Sequence, residues 1–178
     1  EFDHADIFPD LAAIQRQFHH LLRMVPANGL VLSPEDTKAV SQTLAMGCWS
    51  ERQSYGQDWR AELINNDGSV FKLFYRQQLQ GELHWQLGGQ HNVDNAVMAI
   101  AAARHAGVPV EVAIEAMGRF VAPKRRMELK ADIAGIKVYD DFAHHPTAIA
   151  TTLQGVRNKV GQGRLIAVLE PRSNTMRM

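Results

Sequence analysis

Tyr139-Asp140-Asp141-Phe142-Ala143-His144-His145-Pro146 packs two carboxylates and two imidazoles into one short stretch. The carboxylates end an apolar run, and the proline behind the histidines can open a helix. Polar groups this dense at a strand-to-helix turn each need a partner. Turns at the carboxyl ends of strands are also where α/β folds bind ligands. Asp140 and Asp141 can accept hydrogen bonds from a ribose, while His144 and His145 can contact phosphate or a substrate carboxylate. A His-Asp catalytic pair, a zinc site and polar capping of the helix are other readings of the same residues. Zinc needs three or four converging ligands, and no H-x-x-x-H or H-x-H spacing supports that.

Four more clusters carry possible chemistry. In Asp3-His4-Ala5-Asp6 an imidazole is flanked by carboxylates, which suits a metal held directly or through water and equally a solvated loop with a capping Asp. In Gly89-Gln90-His91-Asn92-Val93-Asp94-Asn95, the Asn92 and Asn95 carboxamides stand three apart on one helical face. Each offers a donor and an acceptor, as the edge of an adenine requires, although Asn92 could simply cap the helix. Lys124-Arg125-Arg126 can grip phosphate oxygens and stabilise charge in phosphoryl transfer, or form a solvated basic linker. Glu170-Pro171-Arg172-Ser173-Asn174-Thr175 follows a strand-like run, where substrate contacts are expected. No G-x-x-x-x-G-K-[ST] loop occurs in the chain, so a phosphate cradle for ATP is expected upstream of residue 1.

The elements that must position these groups can be read from periodicity. Leu11, Ile14, Phe18, Leu21, Leu22 and Val25 recur at helical spacing over residues 10–25, with Asp10 as cap. Residues 29–32 predict a buried strand. Ser33-Pro34-Glu35-Asp36 predicts a helix start, running to about Met46. Residues 61–64, 70–75 and 82–87 predict an antiparallel meander with a turn at Asn66-Asp67-Gly68. Helices are expected over 92–105, 110–120 and 146–160, a hairpin over 129–139 around Ala134-Gly135, and a buried parallel strand over 164–169. Alternating helices and strands mean an α/β fold. A boundary near residues 123–126 divides it into 1–123 and 124–178.

Composition narrows the function classes. The 178 residues are 46% apolar and 21% charged, as in a globular chain with a real core. Nineteen basic residues balance nineteen acidic ones, which argues against a broad nucleic-acid surface. The single cysteine, Cys48, permits no internal disulfide and no Cys-based zinc cluster. No apolar run approaches the roughly 20 residues that span a bilayer, so membrane insertion is not expected. Glu1 begins inside a polar motif and Met178 closes a polar loop. Both ends are therefore expected to be cuts in a longer enzyme, and the chain alone is expected not to catalyse.

Together the segments resemble the Mur ligase family: D-H-x-D, then G-x-H-N-x-x-N opening a helix, R-R-x-E, D-D-[FY]-x-H-H-P, and a strand ending in E-P, in that order over nearly the whole chain. The double-His form is similar to the subgroup acting directly on UDP-N-acetylmuramate. Pro171-Arg172-Ser173-Asn174-Thr175-Met176 lacks two basic positions of the P-H-R-Y-T-R loop of the L-alanine-adding members. It resembles instead the members that attach the murein tripeptide L-alanyl-γ-D-glutamyl-meso-diaminopimelate.

The resemblance implies the C-terminal part of a P-loop-type ATP-binding central domain with a small β meander, followed by the start of a Rossmann-like domain. It implies a bacterial cytoplasmic ligase using ATP and Mg2+, which activates a carboxylate as an acyl phosphate and then admits an amine. By the same resemblance His4 helps hold a second magnesium, while His91, Asn92 and Asn95 lie on the adenine side. Arg126 reaches the ATP phosphates, Asp140 takes the ribose and His144 lies near the phosphate and substrate junction. Arg172, Ser173, Asn174 and Thr175 face the incoming peptide. Several members carry a carbamylated Lys in the helix after D-H-x-D. Here Gln15 and Arg16 stand in that region, so no lysine carbamate can hold the second metal. An L-alanine-adding ligase and a non-catalytic nucleotide-binding module are the competing readings.

Overall fold

The computed structural model describes residue 2 and residues 4–170. Twelve elements follow in order among them: α1 (Leu11–Leu22), β1 (Leu30–Pro34), α2 (Lys38–Ala45), β2 (Glu51–Tyr55), β3 (Trp59–Leu63), β4 (Val70–Tyr75), β5 (Gln78–His84), α3 (Gln90–His105), α4 (Val110–Gly118), β6 (Glu128–Ile133), β7 (Ile136–Asp140) and α5 (Pro146–Val160). The fold is mixed α/β. One sheet has the order β1-β2-β3-β4-β5, and β6 and β7 form a separate hairpin.

The large sheet joins two grammars. β1 and β2 pair in parallel across the α2 crossover, with Leu30 opposite Glu51 and Pro34 opposite Tyr55. β2 meets β3 only at Tyr55 and Trp59, and β3, β4 and β5 then run antiparallel. Side chains alternate across a strand, so Phe71 and Leu73 of β4 face the same way, and both are fully buried. With Trp59, Leu83 and Trp85 they form the sheet side of the core. Val93, Ala96, Val97, Ile100 and Ala101 of α3, with Val110 and Ala113 of α4, form the helix side. The Ala-rich face of α3 lets the helix lie close to the sheet, which fixes where its amino end points.

Four readings are corrected. Ser33-Pro34 does not open a helix. The β1 ladder runs through Pro34, which is tolerated because β1 lies at the edge of its sheet, and α2 begins only after Thr37. β2 was not expected, because Glu51-Arg52-Gln53-Ser54-Tyr55 has no apolar alternation. Gln53 is nonetheless buried, and its side-chain oxygen accepts from Trp59 Nε1 at 2.9 Å. Residues 164–169 form no strand. They have no ladder partner among the described residues, and Ile166, Val168 and Leu169 are exposed. β5 also starts earlier than expected, because Arg76 and Gln77, both at positive φ, make a two-residue turn that carries no Asn-Gly signature.

Candidate active site

The amino end of α3 is held from below by the β3–β4 turn. The Asp67 carboxylate accepts from Ser69 N at 2.9 Å and Ser69 Oγ at 2.6 Å. Burial would raise the Asp67 pKa, but these hydrogen bonds and the charge of Lys159 hold it below the usual carboxylate value. The Asp67 carbonyl in turn accepts from Gly89 N at 2.7 Å. Gly89 caps α3 at φ 93, ψ 139, a region essentially closed to other residues. A Cβ there would lie 2.8 Å from Cε1 of His91.

The three α3 candidates differ in what they are free to do. Asn92 stands inside the first turn, not at the cap, and its Nδ2 donates to the Gly88 carbonyl at 2.6 Å. Asn95, one turn on, is exposed, with donor and acceptor both presented to solvent. His91 is half-buried, and its Nδ1 is shut off from solvent without a hydrogen-bond partner among the described residues. Burial lowers the His91 pKa. The carboxylates of Asp141 and Asp94 oppose that shift, and Arg126 reinforces it. Gln90 and Tyr55 were missed. Gln90 Nε2 donates to Tyr55 Oη at 3.0 Å and to Asp94 Oδ1 at 2.8 Å, tying α3 to the end of β2. Burial, then the hydrogen bond with Asp94, pushes the Tyr55 phenol well above its ordinary pKa and keeps it protonated. No sequence pattern over Glu51–Tyr55 signals that contact.

The basic connector and the opening motif are built as one unit. Arg125 O accepts from Phe142 N at 2.8 Å, and Arg125 N donates to Glu128 Oε2 at 3.0 Å. The Arg125 guanidinium lies 5.0 Å over the Phe142 ring and 3.6 Å from Asp140 Oδ2. Asp141 takes two backbone donors, Met127 N at 2.8 Å and Ala143 N at 2.7 Å. Arg125 and Met127 both have positive φ, 61° and 51°, a conformation costing non-glycine residues about 1–3 kcal/mol each. Between them Arg126 is exposed, with no carboxylate partner among the described residues. So the Arg125 side chain is engaged within this unit, while that of Arg126 faces solvent. Asp141 is likewise engaged, and Asp140 remains half-exposed at the end of β7.

The two units also meet elsewhere. His145 Nε2 lies 3.0 Å from the carbonyl of Phe2, which brings the start of α5 to the first motif of the chain. His144 Nδ1 lies 2.9 Å from the Phe142 carbonyl, and its ring packs edge-on to Phe142. Asn158 Nδ2 donates to the Asn66 carbonyl at 3.1 Å. His4 is exposed at φ 55. Gln15, in the region of the expected carbamylated Lys, is buried and spends its amide on Ala39 O and Gln42 Oε1, both at 3.0 Å. Arg172, Ser173, Asn174 and Thr175 lie outside the described residues.

A nucleotide fits these residues: an imidazole nitrogen without a partner among the described residues, a glycine cradle that a Cβ would fill, an exposed carboxamide, an exposed Arg126, and a half-exposed Asp140 whose carboxylate meets only Arg125 at 3.6 Å among the described residues. A magnesium ion does not find a comparable set, since no three His, Cys, Asp or Glu converge among the described residues.

Comparison with known proteins decides the family. The family model of the Mur ligase middle domain matches residues 1–103, and that of the Mur ligase glutamate ligase domain matches residues 125–177. The chain belongs to the Mur ligase family. A Mur ligase of Haemophilus influenzae, named UDP-N-acetylmuramate–L-alanyl-γ-D-glutamyl-meso-2,6-diaminoheptandioate ligase, is 57% identical over 99% of this chain and 40% of its own length. The Escherichia coli protein of that name is 53% identical over 100% of this chain and 40% of its own. Among solved Mur ligases, the murein peptide ligase Mpl of Psychrobacter arcticus superposes with TM-score 0.68 at 47% identity, covering 96% of this chain and 37% of that one. The chain thus spans about 40% of the length of the curated Mur ligases it matches.

Proposed function

We propose that the chain contributes the adenine, ribose and phosphate-facing residues of an ATP-dependent ligase. In this reading the ligase joins the murein tripeptide L-alanyl-γ-D-glutamyl-meso-diaminopimelate to UDP-N-acetylmuramate in the cytoplasm. The observation that carries it is that the α3 cradle lies within electrostatic reach of the connector and the β7–α5 loop. There His91 feels both Asp141 and Arg126. The tripeptide is chosen over L-alanine because the two curated relatives above bear that name and because of the Arg172-Ser173-Asn174-Thr175 loop.

Residues 1–123 and 124–178 act as two domains on either side of the nucleotide. His91 and Asn95 take the adenine edge, and Asn92 shapes the turn beneath it. Asp140 accepts from the ribose hydroxyls. Arg126 reaches the phosphates, where a carboxylate and a phosphoryl group, both negative, must approach each other. His144 stands at the junction with the substrate. ATP supplies the phosphoryl group that makes the carboxylate an acyl phosphate, open to the peptide amine. His4 would be a contact to Mg2+, whose charge would screen the approaching negative groups.

The test is a chimaera in which residues 1–178 replace the matching segment of the Haemophilus influenzae relative. Phosphate release that depends on UDP-N-acetylmuramate and tripeptide is expected, with L-alanine a poor substitute. Equal use of L-alanine would favour the L-alanine-adding reading. A folded chimaera that binds ATP without turnover would favour the non-catalytic module.

A further inference from the structure

We propose that Gly155 is a positioning residue for the nucleotide site: lacking a side chain, it lets α5 seat on the cap of α3 and sets how near the second unit comes to the first. This rests on the ligase reading above. Gly155 lies inside α5, with no turn to make and no positive φ. Glycine is the poorest helix former after proline, so α5 gains nothing from it locally. Its neighbour explains it. A Cβ at Gly155 would lie 3.0 Å from Gly89 Cα and 3.5 Å from Gly89 N, both backbone atoms. Gly89 is buried and cannot step aside. Its N donates to Asp67 O at 2.7 Å, and its carbonyl accepts from Asn92 N at 3.0 Å and Val93 N at 3.3 Å. α5 buries no residue fully, so α5 is the partner that must give. Asn158 and Lys159 continue the contact on the same helical face. Asn158 Nδ2 donates to Asn66 O at 3.1 Å, and the charge of Lys159 bears on Asp67. Asn66 and Asp67 belong to the β3–β4 turn that holds Gly89 in place, so α5 rests on both turn and cap. The loop with His144 moves with α5, and so does the connector with Arg126, because Phe142 N donates to Arg125 O at 2.8 Å. Carbon atoms pack at about 3.5–4.0 Å, so a side chain at position 155 lifts those groups by about half an ångström or more.

Substitution in the chimaera tests this, because helix propensity and seating predict opposite effects. Gly155→Ala favours the helix, so the thermal midpoint is expected to hold or rise. KM for ATP is nonetheless expected to rise about threefold in Gly155→Ala and about tenfold or more in Gly155→Val, as misplacement of positioned groups by a fraction of an ångström does. A residue that only packs α5 would lower the midpoint and leave KM of the folded enzyme alone. A second readout needs no turnover. With every native cysteine replaced, Asn66→Cys and Asn158→Cys are joined by a short bifunctional reagent. Gly155→Val is expected to slow the joining at least about threefold, because effective concentration falls when a short link no longer matches its span. An unchanged KM for ATP in Gly155→Val, a lower midpoint in Gly155→Ala with unchanged KM, or an unchanged joining rate would each overturn the inference while the unaltered chimaera still ligates. Failure of the unaltered chimaera to ligate would overturn the proposed function instead, and the joining rate would still decide whether α5 seats through Gly155.

Discussion

Burial of the His91 ring holds its pKa below the ordinary imidazole value, against the pull of Asp141 and Asp94 and with the help of Arg126. An unfolded chain therefore binds a proton at His91 at a pH where the folded chain does not. Stability from this site is intact above about pH 6.5, the ordinary imidazole value. It falls as pH drops below that, until the folded pKa is passed. The urea midpoint is expected to fall between pH 7.5 and 5.5, and the fall should be shallower in His91→Gln. Equal slopes would mean that other groups set the acid sensitivity. Asp140 is a different case, since in the proposed site it meets the ligand. Losing one hydrogen bond to a charged group costs about 1.5–3 kcal/mol, so Asp140→Asn in the chimaera should raise KM for ATP roughly 10–100-fold, read from the ATP dependence of ligation. Residue types and spacing made His91, Asn92, Asn95, Arg126 and Asp140 legible as candidates. Their division of labour was not legible, because it depends on partners distant in sequence. Asn92 is committed to a carbonyl that a helix starting at Gln90 places within reach, and Asp141 is committed to a connector fourteen residues upstream.

α3 and α5 were read from sequence nearly to the residue, since Ala-rich periodicity and a proline at the first helical position are local signals. β2 was not, because Gln53 and Ser54 are buried through pairing with β1 and through Trp59, neither of which hydropathy reports. The Ser33-Pro34 start failed for a related reason: a cap signal yields when a parallel neighbour holds the same residues in a ladder. Element boundaries that depend on conformation alone give direct tests. Asp10 Oδ1 accepts from Ala13 N at 2.7 Å at the start of α1, so Asp10→Ala should cost about 1 kcal/mol, measured by urea unfolding. Gly89 and Gly107 share φ 93, but a Cβ at Gly107 meets nothing within 4 Å, whereas one at Gly89 strikes His91. Gly107→Ala should therefore cost only the backbone term of about 1–3 kcal/mol. Gly89→Ala should cost more and should also weaken ATP binding in the chimaera. Equal costs would mean that the His91 ring moves aside freely.

At the scale of the molecule, the sheet with α3 and α4 carries the core, while α5 buries no residue fully and the β6–β7 hairpin leaves Ile133 and Ile136 exposed. The second unit is therefore not fixed to the first by a shared core. It touches it through close packing of α5 at Gly155 on the backbone of Gly89, where a Cβ would lie 3.0 Å from Gly89 Cα, and through polar contacts: Asn158 on Asn66 O, His145 on Phe2 O, and the charge of Lys159 felt by Asp67. Exposed polar contacts of this kind are individually weak, so they suit an arrangement that opens and closes around a ligand. With candidate contacts on both units, nucleotide exchange should require opening. Cys48 is the only native thiol, so in the chimaera every cysteine is first replaced, and Asn66→Cys and Asn158→Cys are then joined by a short reducible bifunctional reagent. With ATP bound before joining, nucleotide release should slow at least about tenfold and steady-state turnover should fall in parallel. Both should recover on reduction, because the tether holds closed a contact that each cycle must break. Joined and reduced enzyme turning over at the same rate would show that the two units do not move apart during catalysis. The polar contacts would then be a static interface, and the site would have to load its nucleotide without a hinge.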